Sequence, residues 1–343
     1  MPHLLALESP RPCSTAPLTV RELRPRRSPL VTIAIPAYDR PHLLREALAS
    51  IARQRDFADF EVVVCDDGGS PETREVVAAA GLPNLRYFLN RRRLGAVGNW
   101  NRCIRLANAD WVTVLHEDDT LYPWFLASVA PKLRAGVAAV AVRCVQAETP
   151  PSLTPRPQAK TRVYPAASFL KSSMTPFPGV VFSRRAALRI GGFDERRGGI
   201  ADYVFWYELA RLGRVEVLRQ TAAFYRISPS QWTEREWPAM LRGAHLLRLR
   251  IAREQLGRYP RLGRWLARFY TARMARSYAR RFSETPAILR RARQFERIRL
   301  AWIPSGWVWK GLQLLPRFAA GRLARSATPA LSSTLTRPGE AAV

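Results

Sequence analysis

Three consecutive carboxylates, Glu117-Asp118-Asp119, follow the apolar run Trp111-Val-Thr-Val-Leu115. Acidic side chains this close repel one another unless a cation or solvent compensates. Hard divalent ions such as Mg²⁺ bind through one or two carboxylates together with substrate phosphate oxygens. A solvated acidic turn ahead of a helix has the same spacing. A second acidic pair, Asp66-Asp67, closes the run Glu61-Val-Val-Val-Cys65 and leads into Gly68-Gly69-Ser70. A carboxylate there can accept hydrogen bonds from a nucleobase imide or a ribose hydroxyl, or it can serve the turn itself. Asp202 follows the glycine-rich stretches Gly191-Gly192-Phe193-Asp194 and Arg196-Arg197-Gly198-Gly199. It has the chemistry of a general base acting on a hydroxyl, and equally that of a helix cap. His3, His42, His116 and His245 lack metal-ligand spacing and read as structural or surface residues. Cys13, Cys65, Cys103 and Cys144 form no CxxC pair, so a zinc site or disulfide framework is not expected.

These groups need a frame that gathers them. Leu30-Val-Thr-Ile-Ala-Ile35 is a short β-branched run suited to a buried parallel strand, with Pro36 expected to end it. Leu43, Leu44, Ala47, Leu48 and Ile51 recur at helical spacing over 41–54. Glu61–Cys65, Leu85–Leu89 and Trp111–Leu115 predict further strands, with helices after Ser70 and around Val97–Ala107. This alternation is that of a doubly wound sheet, in which ligands bind at the carboxyl ends of strands. Tyr38-Asp39-Arg40, Asp66-Asp67 and His116–Asp119 all fall at such ends. Residues 145–165, rich in Pro, Thr and Ser, read as a loop across the sheet. Gly179–Ser183 predicts a strand and Asp202–Leu212 a helix, and beyond Trp237 the chain reads as helical, Arg-rich and aromatic.

In order and spacing, the motifs resemble glycosyltransferase family 2. The stretches that carry the resemblance are Val31-Thr-Ile-Ala-Ile-Pro-Ala-Tyr-Asp-Arg40, Phe60–Ser70, Asn90 with Leu94–Asn101, and Asp110–Asp119 with Pro123. Gly191-Gly-Phe-Asp194, Ala201-Asp-Tyr203 and Tyr225-Arg226 complete it, so that residues 30–230 are covered. The resemblance implies an α/β GT-A fold, a single Rossmann-like doubly wound mixed sheet flanked by helices, with a basic helical C-terminal extension. It implies inverting transfer of a sugar from a nucleotide-diphosphate donor, assisted by Mg²⁺ or Mn²⁺. Carried over residue by residue, Pro36, Ala37, Tyr38, Asp67, Asn90, Gly95, Asn99 and Glu117 would bind the nucleotide sugar, with Asp67 meeting the base. Asp118 and Asp119 would hold the metal, and Asp202 would be the general base. The sequence departs from the family pattern at Asp39, usually Asn; at His116, the first acidic position of the metal motif; at Ala201; and at Ile227.

The 343 residues carry 55 Lys+Arg against 27 Asp+Glu, a net charge of +28. Residues 241–343 hold 22 Lys+Arg against 4 Asp+Glu, so most of the excess lies in the last third. Charge of that sign suits an anionic membrane or a lipid-linked carrier as well as nucleic acid. Residues 30–230 show no nucleic-acid module, and no nucleic-acid partner is expected. Trp302, Trp307, Trp309 and Phe318 interleave with Lys310, Arg317 and Arg322, as in an interfacial segment. The expected organisation is a disordered Pro/Arg-rich arm over 1–29, a glycosyltransferase domain over 30–235, a basic helical extension over 236–325 and a disordered tail over 326–343. With no apolar leader after Met1 and no run of about 18 apolar residues, a cytoplasmic protein is expected, peripheral at the inner face of the membrane and acting on a glycan or lipid-linked acceptor. The competing readings are a non-catalytic nucleotide-sugar binder of the same fold and a basic nucleic-acid-binding protein. Nucleotidyl transfer would want a Gly-rich phosphate loop after the first strand, and Pro36-Ala37-Tyr38 is not one.

Overall fold

The computed structural model describes residues 28–155, 160–228, 232–280 and 285–296. The expected arm, apart from Ser28 and Pro29, the tail over 326–343 and the aromatic segment from Trp302 to Phe318 lie outside the described residues. The rest divides into two compact units, one of residues 28–155, 160–162 and 175–228, the other of 163–174, 232–280 and 285–296.

The first unit opens with β1 (Val31–Ala37), α1 (Pro41–Ala52), β2 (Phe60–Asp66), α2 (Pro71–Ala78), β3 (Leu85–Leu89), α3 (Gly95–Leu106) and β4 (Trp111–Val114). It continues with β5 (Thr120–Leu121), α4 (Phe125–Val129), β6 (Val137–Ala147), β7 (Thr161–Val163), β8 (Val180–Ser183), α5 (Arg184–Arg189), α6 (Ala201–Leu212) and β9 (Arg214–Arg226). Both α1 and α2 start with proline, whose missing amide would have no partner at a helix start. Ser70 caps α2 by accepting the Thr73 amide at 3.1 Å.

The sheet order is β3-β2-β1-β4-β8-β6-β9-β5, with β7 beside β9. The first four strands pair in parallel, and Val31–Ala37 runs in register with Phe60–Asp66. β8 runs antiparallel to β4 and to β6, which makes the sheet mixed, as expected. The core is the β-branched interior of β1 and β2 with the apolar faces of α1 and α4, including Leu44, Leu48, Ile51 and Phe125.

Two expectations need correction. Pro36 does not end β1, which continues to Ala37 opposite Asp66. β4 pairs with β1 only as far as Ala34, so Pro36 has a neighbour on one side alone and its missing amide breaks no ladder there. Nor is the stretch from 145 a loop throughout: β6 extends to Ala147 beside Arg226 of β9. The 13-residue β9 supplies the partner that a local reading of β6 could not see.

The second unit contains α7 (Trp232–Gln255), α8 (Pro260–Ala279) and α9 (Thr285–Glu296). Val163–Met174, which the 30–235 domain span included, packs with these helices instead. Phe169 and Leu170 are buried there, and the Leu170 carbonyl accepts Arg248 Nε at 3.2 Å. A Cβ at Gly263 would lie 3.1 Å from that of Ala252, so glycine lets α8 approach α7 closely. Trp237, Leu241, Ala275, Ile288 and Ala292 form its core. Among the described residues no helix is long and apolar enough to cross a membrane.

Candidate active site

The carboxyl ends of β1, β2 and β4 lie side by side because these strands are parallel neighbours, and the expected acidic residues gather there. Just beyond β4, Glu117 is buried. Its Oε2 accepts the Tyr38 amide at 2.8 Å and its Oε1 accepts Arg40 Nε at 2.7 Å. Burial pushes the Glu117 carboxyl up to about 7, against the opposing pull of the Arg40 charge. Glu117 thus ties the end of β4 to the end of β1. Arg40 Nη1 also donates to Asp118 Oδ2 at 2.7 Å.

Asp119 is 1% exposed. Its Oδ1 accepts the Arg226 amide at 2.9 Å, while its Oδ2 is buried without a hydrogen-bond partner. Burial raises its carboxyl to about 6. Arg226, at the end of β9, donates through Nε to the Asp118 carbonyl and through Nη1 to the Glu148 carbonyl, both at 3.0 Å, and its Nη2 pairs with Glu46. The Tyr225-Arg226 motif therefore braces the acidic loop from the far side of the sheet.

His116 was expected to be structural or at the surface. It instead joins Asp118 and Asp119, the three offering ligand atoms within 4.8 Å of one another. Its Nδ1 lies 3.7 Å from Asp119 Oδ2. Burial disfavours its charged form, but the nearby Asp119 and Asp118 carboxylates outweigh this and raise it above the ordinary histidine value. Its ring is held by Phe177 at 4.5 Å and Trp100 at 5.2 Å. The motif alignment placed it at the first metal position, but the residues that orient it come from α3 and from the segment before β8.

Asp202 sits in the first turn of α6, one residue inside it; Ile200 occupies the cap position and makes no side-chain cap bond. Its Oδ1 accepts the Tyr203 amide at 2.7 Å. Burial raises its carboxyl to about 6, and the charge of His116 reaches it and opposes that rise. α6 is placed by the preceding glycines. Asn101 on α3 clamps Phe193 through both backbone groups, donating to its carbonyl at 2.9 Å and accepting its amide at 2.7 Å. Gly192 has φ +78, and a Cβ there would lie 2.4 Å from Asn101 Oδ1, so this turn requires glycine.

Asp67, Asn90, Gly95 and Asn99 form one hydrogen-bonded knot. Asp67 Oδ1 accepts Asn90 Nδ2 at 2.6 Å and the Leu94 amide at 2.8 Å; its Oδ2 accepts the Gly95 amide at 2.8 Å. Asn99, 2% exposed, accepts Asn90 Nδ2 at 3.1 Å and donates to the Cys65 carbonyl at 2.8 Å. Gly95 has φ +73, and its amide is among the donors at the start of α3 that have no partner within the helix. Asp66, which carries no expected role, spends its carboxylate on the Gly68 and Gly69 amides and on the Tyr87 hydroxyl. Tyr38, 39% exposed, has the Arg93 guanidinium over its ring at 4.3 Å. Asp39 takes φ 51, a conformation that Asp and Asn tolerate better than other side chains.

A mixed sheet that delivers an acidic cluster at the carboxyl ends of its parallel strands has the GT-A architecture. Staphylococcus aureus TarS (residues 1–349) shares it with a TM-score of 0.55 at 18% identity, over 72% of this chain and 73% of that one. The mannosyltransferase PcManGT of Pyrobaculum calidifontis, solved with GDP-Man and Mn²⁺, aligns with a TM-score of 0.53 at 19% identity, over 88% of this chain and 80% of that one. The family model for glycosyl transferase family 2 matches residues 32–191, and this span belongs to that family. The GalNAc(5)-diNAcBac-PP-undecaprenol beta-1,3-glucosyltransferase of Campylobacter jejuni is 34% identical over 120 residues, 34% of this chain and 38% of that protein. WfgD of Escherichia coli, a UDP-Glc:alpha-D-GlcNAc-diphosphoundecaprenol beta-1,3-glucosyltransferase, is 30% identical over 90 residues, 26% of this chain and 35% of its own length.

Proposed function

We propose that the protein is an inverting glycosyltransferase, moving a sugar from a nucleotide-diphosphate donor to a hydroxyl of a glycan or lipid-linked acceptor. The observation that carries this reading is the gathering of His116, Asp118 and Asp119 at the end of β4, with the buried, partnerless Asp119 Oδ2 among them. The names of the Campylobacter and Escherichia relatives, both of which act on undecaprenol-diphosphate glycans, support a lipid-linked acceptor and a role in cell-envelope or surface-polysaccharide assembly.

The residues fit a divalent cation. Asp119 Oδ2 is a buried carboxylate oxygen with no partner, and hard cations favour such donors. Asp118 and Asp119 would hold Mg²⁺ or Mn²⁺, with His116 beside them. When bound, the ion supplies positive charge that offsets the donor diphosphate. Pro36, Ala37 and Tyr38 form the nucleotide side of the pocket, with the Tyr38 ring as its exposed aromatic surface. Asp67, Asn90 and Asn99 hold the Leu94–Gly95 turn in place, and Glu117 holds the Tyr38 amide. Asp202 accepts the proton of the acceptor hydroxyl as its oxygen bonds to the anomeric carbon. The bond from that carbon to the diphosphate oxygen breaks, and the nucleotide leaves with the electron pair.

The test is a panel of UDP- and GDP-sugars with Mg²⁺ or Mn²⁺, scored by thermal shift and by transfer to polyprenyl-diphosphate glycans. Metal-dependent stabilisation and transfer by at least one donor are expected. Stabilisation without any transfer or donor hydrolysis would leave a nucleotide-sugar binder, and no stabilisation by any donor would reject both.

A further inference from the structure

α8 carries five arginines, at 261, 264, 268, 273 and 276, and no Asp or Glu. Seven of its residues are buried: Gly263, Leu266, Ala267, Thr271, Ala272, Ala275 and Ala279. The large side chains of Arg261, Trp265, Arg268, Phe269, Arg273 and Arg276 share one side of the helix, on which the only buried residues are the small Ala272 and Ala279. At about 100° per residue these six fall within an arc of roughly 140°. All four of these arginines are exposed, and Phe269 is 37% exposed. The Trp265 and Phe269 rings, one turn apart, stack at 5.3 Å with an interplanar angle of 15°, forming a single apolar block between the cations.

We propose that this face of α8 docks onto the surface of an anionic lipid bilayer. The inference does not depend on the proposed transferase activity. A face whose own helix supplies four arginines and no carboxylate calls for an anionic partner. A second copy of the chain would bring the same arginines face to face. Residues 297–343 of the chain itself carry 7 Lys+Arg against 1 Asp+Glu, so they do not complement it either. Between the two anionic polymers a cell offers, the ring geometry favours lipid. Single-stranded nucleic acid stacks its bases on open aromatic faces along a groove. Here the rings cover one another, on the convex side of a helix. That arrangement suits the headgroup level of a bilayer, where aromatic blocks settle and arginine stems lie along apolar surface with their charges in the phosphate layer.

The experiment uses the full-length protein and co-sedimentation with vesicles of phosphatidylglycerol and phosphatidylcholine, against phosphatidylcholine alone. Wild-type protein should partition to the anionic vesicles, less so as salt is raised. Trp265→Ala with Phe269→Ala should weaken partitioning by at least about tenfold. Each basic residue near an anionic surface contributes a factor of about five, so Arg268→Gln with Arg273→Gln should weaken it by about thirtyfold. Both arginines are exposed, so this pair carries the test even if the aromatic pair lowers the melting temperature. Partitioning of the arginine variant equal to wild type, or no preference for anionic over neutral lipid, would overturn the proposal. So would tight binding of a single-stranded oligonucleotide that the same variants abolish while vesicle binding stays unchanged.

Discussion

The carboxylate of Asp67, at the end of β2, accepts the backbone amide of Gly95, 28 positions later, at 2.8 Å, and its other oxygen accepts the Leu94 amide at the same distance. An anion at a helix N-terminus satisfies donors that have no partner within the helix and meets the positive end of the helix dipole. Asp67 is therefore a cap supplied from another strand. Asp67→Asn would turn an amide NH₂ toward one of these two N–H groups. The expected cost is about 2 kcal/mol, since hydrogen bonds to a charged group contribute about 1.5–3 kcal/mol. At about 2–4 °C per kcal/mol the melting temperature should fall by about 4–8 °C, with weaker donor binding. An unchanged melting curve would show that the cap contributes nothing.

Asp118 and Asp119 should respond differently to the same change. Asp118 is 20% exposed and, among the described residues, its carboxylate pairs only with Arg40, whereas Asp119 is buried and bonded to the Arg226 amide. Asp118→Asn should abolish metal-dependent donor binding with little effect on stability. Asp119→Asn should also abolish it while changing thermal stability measurably. Isothermal titration with Mn²⁺ and a nucleotide sugar, alongside thermal melts, separates the two. Full turnover of both variants in EDTA would remove the cation from the scheme.

Arg40 should stabilise the fold in a pH-dependent way. Among the described residues it is the one cation bonded to Glu117, whose carboxyl burial raises to about 7. Above that value Glu117 is ionised and needs its partner; below it a proton takes the partner's place. Arg40→Ala should cost about 1–2 kcal/mol above about pH 8, because Arg40 is itself partly exposed. The cost should shrink as pH falls through about 7. Denaturant melts of both proteins at several pH values check this, and a cost that grows toward acid would contradict the assignment.

Asp202→Asn keeps size and removes proton acceptance. Turnover should fall by at least about 10², with donor affinity preserved, as is typical for loss of a general base. Because burial raises the Asp202 carboxyl to about 6, the carboxylate form is lost as pH falls through that value. Wild-type kcat at saturating donor should therefore decline on the acid side of about pH 6. A flat profile from about pH 5 to 8, or wild-type turnover in the variant, would leave Asp202 as part of the helix start only.

Much of the frame is local and was readable as sequence. Runs such as Val31–Ile35 and Glu61–Cys65 are buried on both faces, so their β-branched composition declares them strands. Pro41 and Pro71 mark helix starts by their own chemistry. The parallel alternation placed the acidic clusters at strand ends, and so at one edge of the sheet. β6 and β9 were not readable in this way, because their pairing joins segments far apart in sequence and neither alternates cleanly.

The residue types at the site were fixed by the chain, but their division of labour was decided by tertiary structure. Asp66 and Asp67 are equivalent as letters; the helix start placed against β2 turns the second into a cap, while the first binds its own turn. Glu117, Asp118 and Asp119 are three adjacent carboxylates, yet one is latched to β1, one is partly exposed and one is buried with a free oxygen. His116 stands at the first position of the metal motif, but its residue type and spacing did not mark it as a ligand. It reaches Asp118 and Asp119 because Phe177 and Trp100, from elsewhere in the chain, hold its ring. Hydrogen-bond partners and desolvation set the state of an ionisable group, and both come from residues distant along the chain.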